Sequence, residues 1–316
     1  MNDEIKNIDI IEYIISEESK GLRADQGIAL ENPQYSRSLI QKWIKKGSVL
    51  VNNQLIRTKE ILLEGDKISI TPEENISTDD IRPESIKIEI AYEDEDLIVI
   101  NKHSNIIAHP AAGHHSGTLA NGLVYMYPEL SNLPRSGLIH RLDKDTTGLL
   151  IVARNIKSYT VLARDMQDRV INRYYTAYTH GLLMQNGEIN KPIARHKVDR
   201  KKMAVRVNGK EAITNYEVVK SYKNFSKLKL KLHTGRTHQI RVHMQSVKYP
   251  IIGDQSYGIK SKGKKDIDDY INKFPRQALH AEALEFTHPN TKEILKVKAN
   301  LPGDLLELEK ILDEQK

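Results

Sequence analysis

The densest polar run in the chain is HRLDKDTTG at 140–148, set immediately before the apolar stretch LLIVA at 149–153. A charged loop feeding a buried strand delivers its carboxylates to the end of a sheet, where sites are commonly built. Asp143 and Asp145 are therefore candidates for nucleophilic or acid–base work. On local composition alone the same run also reads as a solvated turn in which one of them caps backbone amides. A second constellation is TGRTHQIRVH at 234–243. On a helix starting at Thr237, His238 and Arg241 lie three apart on one face, and Ile240 and Met244 point to the core. Arg241 then reaches toward a carboxylate on a neighbouring element. The plain alternative is a cationic helix face.

Other motifs fail on chemistry. GIKSKGKK at 258–265 has the spacing of a phosphate loop, but Lys265 stands where Ser or Thr must hold magnesium, and no apolar strand precedes it. There is no GxGxxG, so a dinucleotide fold lacks its usual signal. His238 and His243 are five apart with no Glu between, unlike a zinc helix. His109, His114 and His115 share a loop without a carboxylate, and read as loop or phosphate contacts rather than metal ligands. No serine sits in a nucleophile elbow. The chain has no cysteine, which excludes disulfides, thiolate nucleophiles and cysteine-ligated zinc or iron–sulfur centres. Neither a metal nor a nucleotide cofactor is expected.

These residues need elements to hold them. The 149–153 run reads as a central strand, followed by a helix over 156–168. Strands are expected at 174–179 and 215–219. Leu228, Leu230 and Leu232 alternate with Lys as a half-buried strand. Thr118 is placed to cap a helix through Tyr127, IEIAYEDEDLIVINK at 88–102 reads as a hairpin, and the tail from Pro302 reads as an amphipathic helix. Upstream, SRSLIQKWIKKG reads as a helix with Ser36 as N-cap, Ile40, Trp43 and Ile44 on one buried face, and Gly47 as the stop. A strand at 49–51 precedes a turn at Asn52-Asn53, and a Gly65-Asp66 turn leads into an alternating strand carrying Ile68 and Ile70. Strands separated by loops and helices without a βαβ rhythm predict an α+β fold with a mixed, mainly antiparallel sheet.

At 316 residues the chain has room for about two domains. The expected division is an N-terminal extension at 1–20 with some helical character, a small α/β unit at 21–72, an acidic, Pro-containing linker at 73–87, a main domain at 88–302 and a C-terminal helix at 303–316. Charge divides the chain too. Residues 1–90 carry 12 Lys+Arg against 17 Asp+Glu, net −5, whereas 91–316 carry 36 against 25, net +11. Within the second part, 191–241 hold 15 basic residues and three acids; within the first, 37–60 hold six basic residues and one acid. Two basic stretches in one chain point to a polyanion, most simply nucleic acid, although lysine-rich faces are often merely solvated. No apolar run approaches the ~20 residues of a membrane span, and the polar start has no secretory signal. A cytoplasmic, monomeric protein is the expectation.

Taken together, HRLDKDTTGLLIVARN, RYYTA at 173–177 and LHTGRTHQIRVHMQSVKYPIIGDQSYG at 232–258 resemble, in order, the motifs of the RluA/RluD family of RNA pseudouridine synthases. AHPAAGHHSGTLANGL at 108–123 resembles the segment that precedes them. The likeness covers about 88–300, and the His140 start separates it from the related small-subunit rRNA group. The N-terminal unit is similar to the S-four-like RNA-binding module through Ser36-Arg37, Lys45-Lys46-Gly47, the run from Val49 to Asn52 and the run from Gly65 to Ile68, with Ala24 where Leu is usual.

The resemblance implies that Asp143 is the catalytic aspartate, Tyr175 the active-site tyrosine and Arg241 the arginine paired with Asp143. It implies that Arg141 enters the RNA stack when a uridine is extruded. His140, Arg236 and His238, with Arg37, Lys45 and Lys46 of the N-terminal module, are the expected RNA contacts. Asp145 is read as structural, capping amides near Thr147. The implied substrate is large-subunit ribosomal RNA. Two rivals remain at this level: a binding-only RNA or ribosome-assembly factor, and an RNA hydrolase using Asp143 and Asp145 together.

Overall fold

A computed structural model describes residues 10–33, 35, 37–71, 81–110, 116–261 and 266–314. The chain forms two compact units, Met1–Asp80 and Ile81–Lys316.

In the first unit, strands β1 (Ile11–Ile14), β2 (Val49–Val51), β3 (Gln54–Leu55) and β4 (Lys67–Ile70) make an antiparallel sheet in the order β1-β4-β2-β3. Helices α1 (Ala24–Glu31) and α2 (Arg37–Lys46) complete it. Ile40, Trp43 and Ile44 of α2 are buried with Ile28, Leu62, Ile68 and Ile70, as their spacing requires. Gly47 ends α2 at φ +83°, a left-handed position that suits glycine. Asn52 and Asn53 turn the β2–β3 hairpin, both at positive φ. The expectation of a partly helical extension at 1–20 is corrected: Ile11–Ile14 pairs residue for residue with β4, so the unit begins inside that segment. Ser36, the expected cap, lies outside the described residues.

In the second unit, β5 (Glu89–Glu93) and β6 (Leu97–Lys102) form the expected hairpin, followed by α3 (Leu119–Met126), β7 (Thr147–Ala153), α4 (Ile156–Gln167) and β8 (Asn172–His180). Then come β9 (Gly187–Asn190), β10 (Ile193–Arg195), β11 (Met203–Val205), β12 (Ile213–Ser221), β13 (Phe225–Leu232), α5 (Gln239–Ser246), α6 (Asp266–Lys273), β14 (Leu279–Thr287), β15 (Ile294–Lys298) and α7 (Gly303–Asp313). Nine strands share one sheet in the order β5-β6-β7-β14-β8-β13-β12-β9, with β15 also on β14. β7–β14 is its parallel pair; the other pairings are antiparallel. Both sheet faces are covered. Leu150 and Val152 of β7 join the larger core with Leu123, Met244 and Leu308, whereas Leu149 and Ile151 pack on the other side with Leu162 and Phe286. That is why LLIVA has no polar alternation.

Gly148 shows what the parallel crossing demands. Its φ is +112°, and a Cβ there would sit 2.2 Å from the Ala281 carbonyl oxygen on β14. Only glycine lets the two backbones approach this closely. Thr118 caps α3 in a reciprocal capping box with Asn121. The expected linker at 73–87 is shortened from its far end. Arg82 O accepts from Asn121 Nδ2 (2.8 Å) and Glu84 accepts from Gly117 N (2.9 Å), so 81–87 lies on α3 of the second unit. Residues 72–80 lie outside the described part.

Candidate active site

The loop before β7 is built against the strand it feeds. Ile139 N donates to Ile151 O (3.1 Å), and Ile151 N donates to Nε2 of His140 (3.2 Å). Thr146 N donates to Asp143 O (3.1 Å), closing a turn that presents Asp143 at the end of the sheet. Lys102, at the end of β6, is buried and donates to the carbonyls of His103 (2.8 Å), Ile106 (3.0 Å) and Lys144 (2.8 Å). Burial pushes its ammonium down to about 7, with the Asp145 and Asp143 carboxylates acting against the shift. Three carbonyl acceptors match three ammonium protons, so Lys102 ties the Asp143 loop to β6.

Arg241, on the first turn of α5, meets this loop. Its Nη1 donates to Asp143 Oδ2 (2.9 Å). Its Nε and Nη2 form a two-pronged bond to Asp254 Oδ2 (2.7 Å) and Oδ1 (2.9 Å). Asp254 is buried, and Oδ1 also accepts from the amides of Ser256 (2.9 Å) and Tyr257 (3.0 Å). Burial acts to raise the Asp254 carboxyl, but Arg241 and the two amides outweigh it and hold it below its ordinary range. The Arg241 guanidinium, 5.0 Å over the Tyr257 ring, is thus held in one orientation, with one edge on Asp254 and the remaining prong on Asp143. His238 Nδ1 lies 2.8 Å from the Tyr257 hydroxyl and its Nε2 3.9 Å from Asp143 Oδ1. Met203 N also donates to that hydroxyl (2.7 Å), which joins β11 to the site.

The helix begins later than its sequence suggests. α5 starts at Gln239, with His238 in the left-handed region (φ 56°) as N-cap, and Thr237 is exposed and does not cap it. Gln239 supplies the reason. Its Oε1 accepts from Arg236 N (3.0 Å) and Thr234 Oγ1 (2.7 Å), and its Nε2 donates to Ile213 O and Thr214 Oγ1 (3.0 Å each). One buried amide pins the whole TGRTHQ turn to the sheet.

Tyr175 enters from β8, opposite Leu230 of β13 and Ala281 of β14. Burial raises its hydroxyl, so it keeps its proton at neutral pH. Tyr175, Asp143, Arg141, His238 and Arg241 line a cavity of about 630 Å³. Six arginines line it: Arg135, Arg141, Arg169, Arg173, Arg236 and Arg241. Asp143 is its sole carboxylate among the described residues.

Comparison with known proteins shows which family the chain belongs to. Residues 96–246 match the model of the RNA pseudouridylate synthases, and 22–68 match the S4 domain. The chain is 43% identical to "Ribosomal large subunit pseudouridine synthase D" of Haemophilus influenzae, over 93% of this chain and 92% of that one. This chain belongs to the RNA pseudouridine synthase family. It is an RNA pseudouridine synthase, and the conversion of uridine to pseudouridine is an isomerisation. The enzyme of the same name from Pseudomonas aeruginosa is 41% identical over 94% of this chain and 93% of its own. The solved structure "Human RNA Pseudouridylate Synthase Domain Containing 4" shares the fold, with a TM-score of 0.58 at 24% identity over 71% of this chain and 93% of that one.

Within the synthase, the residues expected from sequence fall into two groups. Asp143, Tyr175, Arg241, His238, Arg236 and exposed Arg141 share the cavity. His140 lines it too, as an uncharged ring. It is buried, accepts a backbone N–H, and is pushed down to about 3 by burial and by Arg173 and Arg135, so it stays neutral. Arg37 is also engaged elsewhere: its Nε and Nη2 bond buried Asp25 (2.9 and 2.8 Å), which accepts from Arg23 and Gln41 as well. Lys45 and Lys46 are exposed at the end of α2. The Asp145 carboxylate does not cap the amides near Thr147 among the described residues; its carbonyl instead accepts from Arg276 Nη1 (3.3 Å). His114 and His115 lie outside the described residues. Asp254 and Gln239 were in quoted motifs but had no role assigned. Asp254 meets Arg241 13 residues away and Gln239 meets Thr214 25 residues away, separations at which sequence spacing gives no signal.

Buried histidines make the synthase acid-sensitive. His140 is held near 3 and His180 near 4, both by burial first. In the unfolded chain each protonates near 6.5. Between pH 6.5 and about 4 the unfolded state binds more protons, so stability falls as pH falls. The expected loss is about 2 kcal/mol per histidine at pH 5. Calorimetry at pH 7 and pH 5 checks this, and equal stabilities at the two would refute it.

Proposed function

We propose that the substrate is large-subunit ribosomal RNA and that Asp143 is the carboxylate that reacts at the target uridine. The observation that carries the reading is one carboxylate in an arginine-lined cavity, held by an arginine that a second, buried aspartate orients. The relatives' names state the ribosomal substrate for those proteins.

The chemistry is an internal rearrangement. The bond from ribose C1′ to uracil N1 breaks, the uracil turns, C5 bonds to C1′, and the proton leaving C5 is matched by one gained at N1. Nothing is consumed, so the reaction calls for no nucleotide cofactor. Asp143 acts at the sugar, by attack or by stabilising positive charge, as carboxylates do in glycoside chemistry. Arg241 holds the carboxylate in place through a charge-assisted hydrogen bond. Tyr175 offers a ring face for the extruded uracil and a protonated hydroxyl. Extruding the base costs a few kcal/mol. Arg141 is placed at the cavity mouth to fill the gap it leaves, and phosphate contacts from Arg236, the 191–241 region and the N-terminal unit offset the cost. The protein works in this reading as a cytoplasmic monomer; no helix among the described residues is long and apolar enough to cross a membrane.

The test is pseudouridine mapping on unmodified large-subunit rRNA treated with the purified protein and no cofactor. New pseudouridine at discrete positions is the expected result. None in that RNA, with new pseudouridine in transfer RNA, would overturn the substrate. Lys45→Gln with Lys46→Gln is expected to lower the slope of log affinity against log salt by about 1.5, the loss of two phosphate contacts, and to leave kcat unchanged. Fluorescence anisotropy across a salt series measures it, and an unaltered slope would make that helix end merely solvated.

A further inference from the structure

Buried cations in the second unit have partners, with one exception. Arg241 bonds Asp143 and Asp254; Arg276 bonds Asp304 (2.6 and 2.9 Å) and three carbonyls; Lys102 bonds three carbonyls. Arg173 is 6% exposed and has no hydrogen bond or ion pair from its side chain among the described residues. Its Nε is sealed from solvent without an acceptor. A guanidinium does not deprotonate to escape this cost. An unpaired buried charge is strongly unfavourable unless something else neutralises it.

Where Arg173 sits says what that could be. It lines the same cavity as Asp143, and it is two residues from Tyr175 on β8, hence on the same face. The two side chains are roughly 7 Å apart along the strand. Tyr174 between them turns to the other face, under Lys229 and Lys231. The TGR turn closes over the guanidinium: a Cβ on Gly235 would lie 2.7 Å from Arg173 Nη1. Arg135 lines the same cavity, and both arginines act on His140. The Arg135 side chain too makes no hydrogen bond or ion pair among the described residues, and it is carried by consecutive left-handed residues, Arg135 (φ 53°), Ser136 (φ 50°) and Gly137 (φ 77°). Non-glycine residues in that region are strained and cluster at ligand sites. Burial together with these two arginines keeps His140 neutral, and among the described residues no carboxylate pairs with either arginine.

We propose that Arg173, assisted by Arg135, forms an anion subsite that takes a backbone phosphate of the target uridine itself. This rests on the uracil stacking on Tyr175 and the ribose lying at Asp143. A nucleotide so placed carries phosphates on both sides of its sugar, one nucleotide's reach from the ring. Arg173 is then a substrate-binding residue that fixes the sugar against Asp143, and the anion supplies the missing partner.

The test uses the full-length protein and a short RNA that the wild type modifies. Neutral methylphosphonate linkages replace the phosphate 5′ or 3′ of the target uridine, one at a time, for wild type and Arg173→Met. With natural RNA, Arg173→Met is expected to lower kcat/KM by 10- to 100-fold. In the wild type, one of the two linkages is expected to cost a similar factor; in Arg173→Met that linkage should cost nothing further. Arg173→Met should melt no lower than the wild type, because it removes an unpaired charge. A variant with wild-type kcat/KM, or losses that multiply independently at both linkages, overturns the subsite.

A second readout needs no turnover. The Nε–H resonance of Arg173, identified by its absence in Arg173→Met, is followed by NMR during titration with uridine 5′-monophosphate and with inorganic phosphate. A saturable shift, tighter for the nucleotide, is expected. An equal response to both would mean a generic anion site, and no response would overturn the proposal. If the wild type makes no pseudouridine while this resonance responds, the reading of the substrate fails and the anion subsite stands.

Discussion

Asp143→Asn is expected to slow pseudouridine formation by on the order of 10⁴-fold or more, the scale of losing a nucleophile. Affinity for RNA should stay within a few-fold. The reasoning is steric as well as chemical. Asparagine keeps the volume of aspartate, and Arg241 retains both bonds to Asp254, so the cavity should stay in shape. What is lost is the negative charge at the sugar and the charge that strengthens the bond from Arg241 Nη1, which the asparagine oxygen can still accept. Asp143 makes no other side-chain hydrogen bond among the described residues, which limits the damage to folding. Asp145→Asn is the internal control. That carboxylate is not in the cavity lining, so its rate should fall by less than about 10-fold. Single-turnover release of the C5 hydrogen, with calorimetry on each variant, separates the outcomes. Turnover within 10-fold of wild type in Asp143→Asn would remove Asp143 from the chemistry. A similar collapse in Asp145→Asn would revive a two-carboxylate mechanism.

Asp254→Asn should do damage of another kind, lowering both stability and rate. Removing one partner of a buried ion pair costs about 3–5 kcal/mol. For a domain of this size that corresponds to a fall in melting temperature of about 10 °C. The mechanism is specific. Asp254 accepts from Nε and Nη2 of Arg241 and from two backbone amides. An asparagine can serve the amides through its oxygen, but it then turns an N–H₂ donor toward a guanidinium that has only donors. Arg241 loses its orientation, and Asp143 loses the fixed cation that positions it. A fall in kcat on the order of 10²-fold with little change in KM is expected, because the RNA contacts are elsewhere. Calorimetry and steady-state kinetics test the pair of effects. A variant that melts like the wild type would mean that Asp143 alone suffices to hold Arg241.

Local signals carried much of this architecture. The spacing of Ile40, Trp43 and Ile44 revealed α2, the unbroken apolar run revealed β7, and the alternation of Leu228, Leu230 and Leu232 revealed β13, because each reports its own burial over a few residues. The boundaries that failed are those set by partners far along the chain. Ile11–Ile14 becomes a strand because β4 pairs with it, and nothing within those residues announces that. α5 starts at Gln239 rather than Thr237 because the Gln239 side chain folds onto Ile213 and Thr214. The same limit applies in the site. Asp143 and Arg241 stood out by residue type and motif, whereas Asp254 acquires meaning only once the fold brings it to Arg241. The neutrality of His140 likewise follows only from its burial against Ile151.

The placement of β14 between β7 and β8 sets when the enzyme can exist during synthesis. β7 carries the loop of Asp143, β8 carries Tyr175, and β14 joins them through pairs such as His280 with Thr147 and Ala281 with Tyr175. That bridging strand leaves the ribosome more than a hundred residues after the aspartate, long after the N-terminal unit has its own core and its exposed Lys45 and Lys46. Units generally fold in the order in which they are made. With the roles proposed for Lys45, Lys46, Asp143 and Tyr175, a growing chain would gain the means to hold RNA before it could alter it, and the site would be completed only when β14 pairs with β7 and β8.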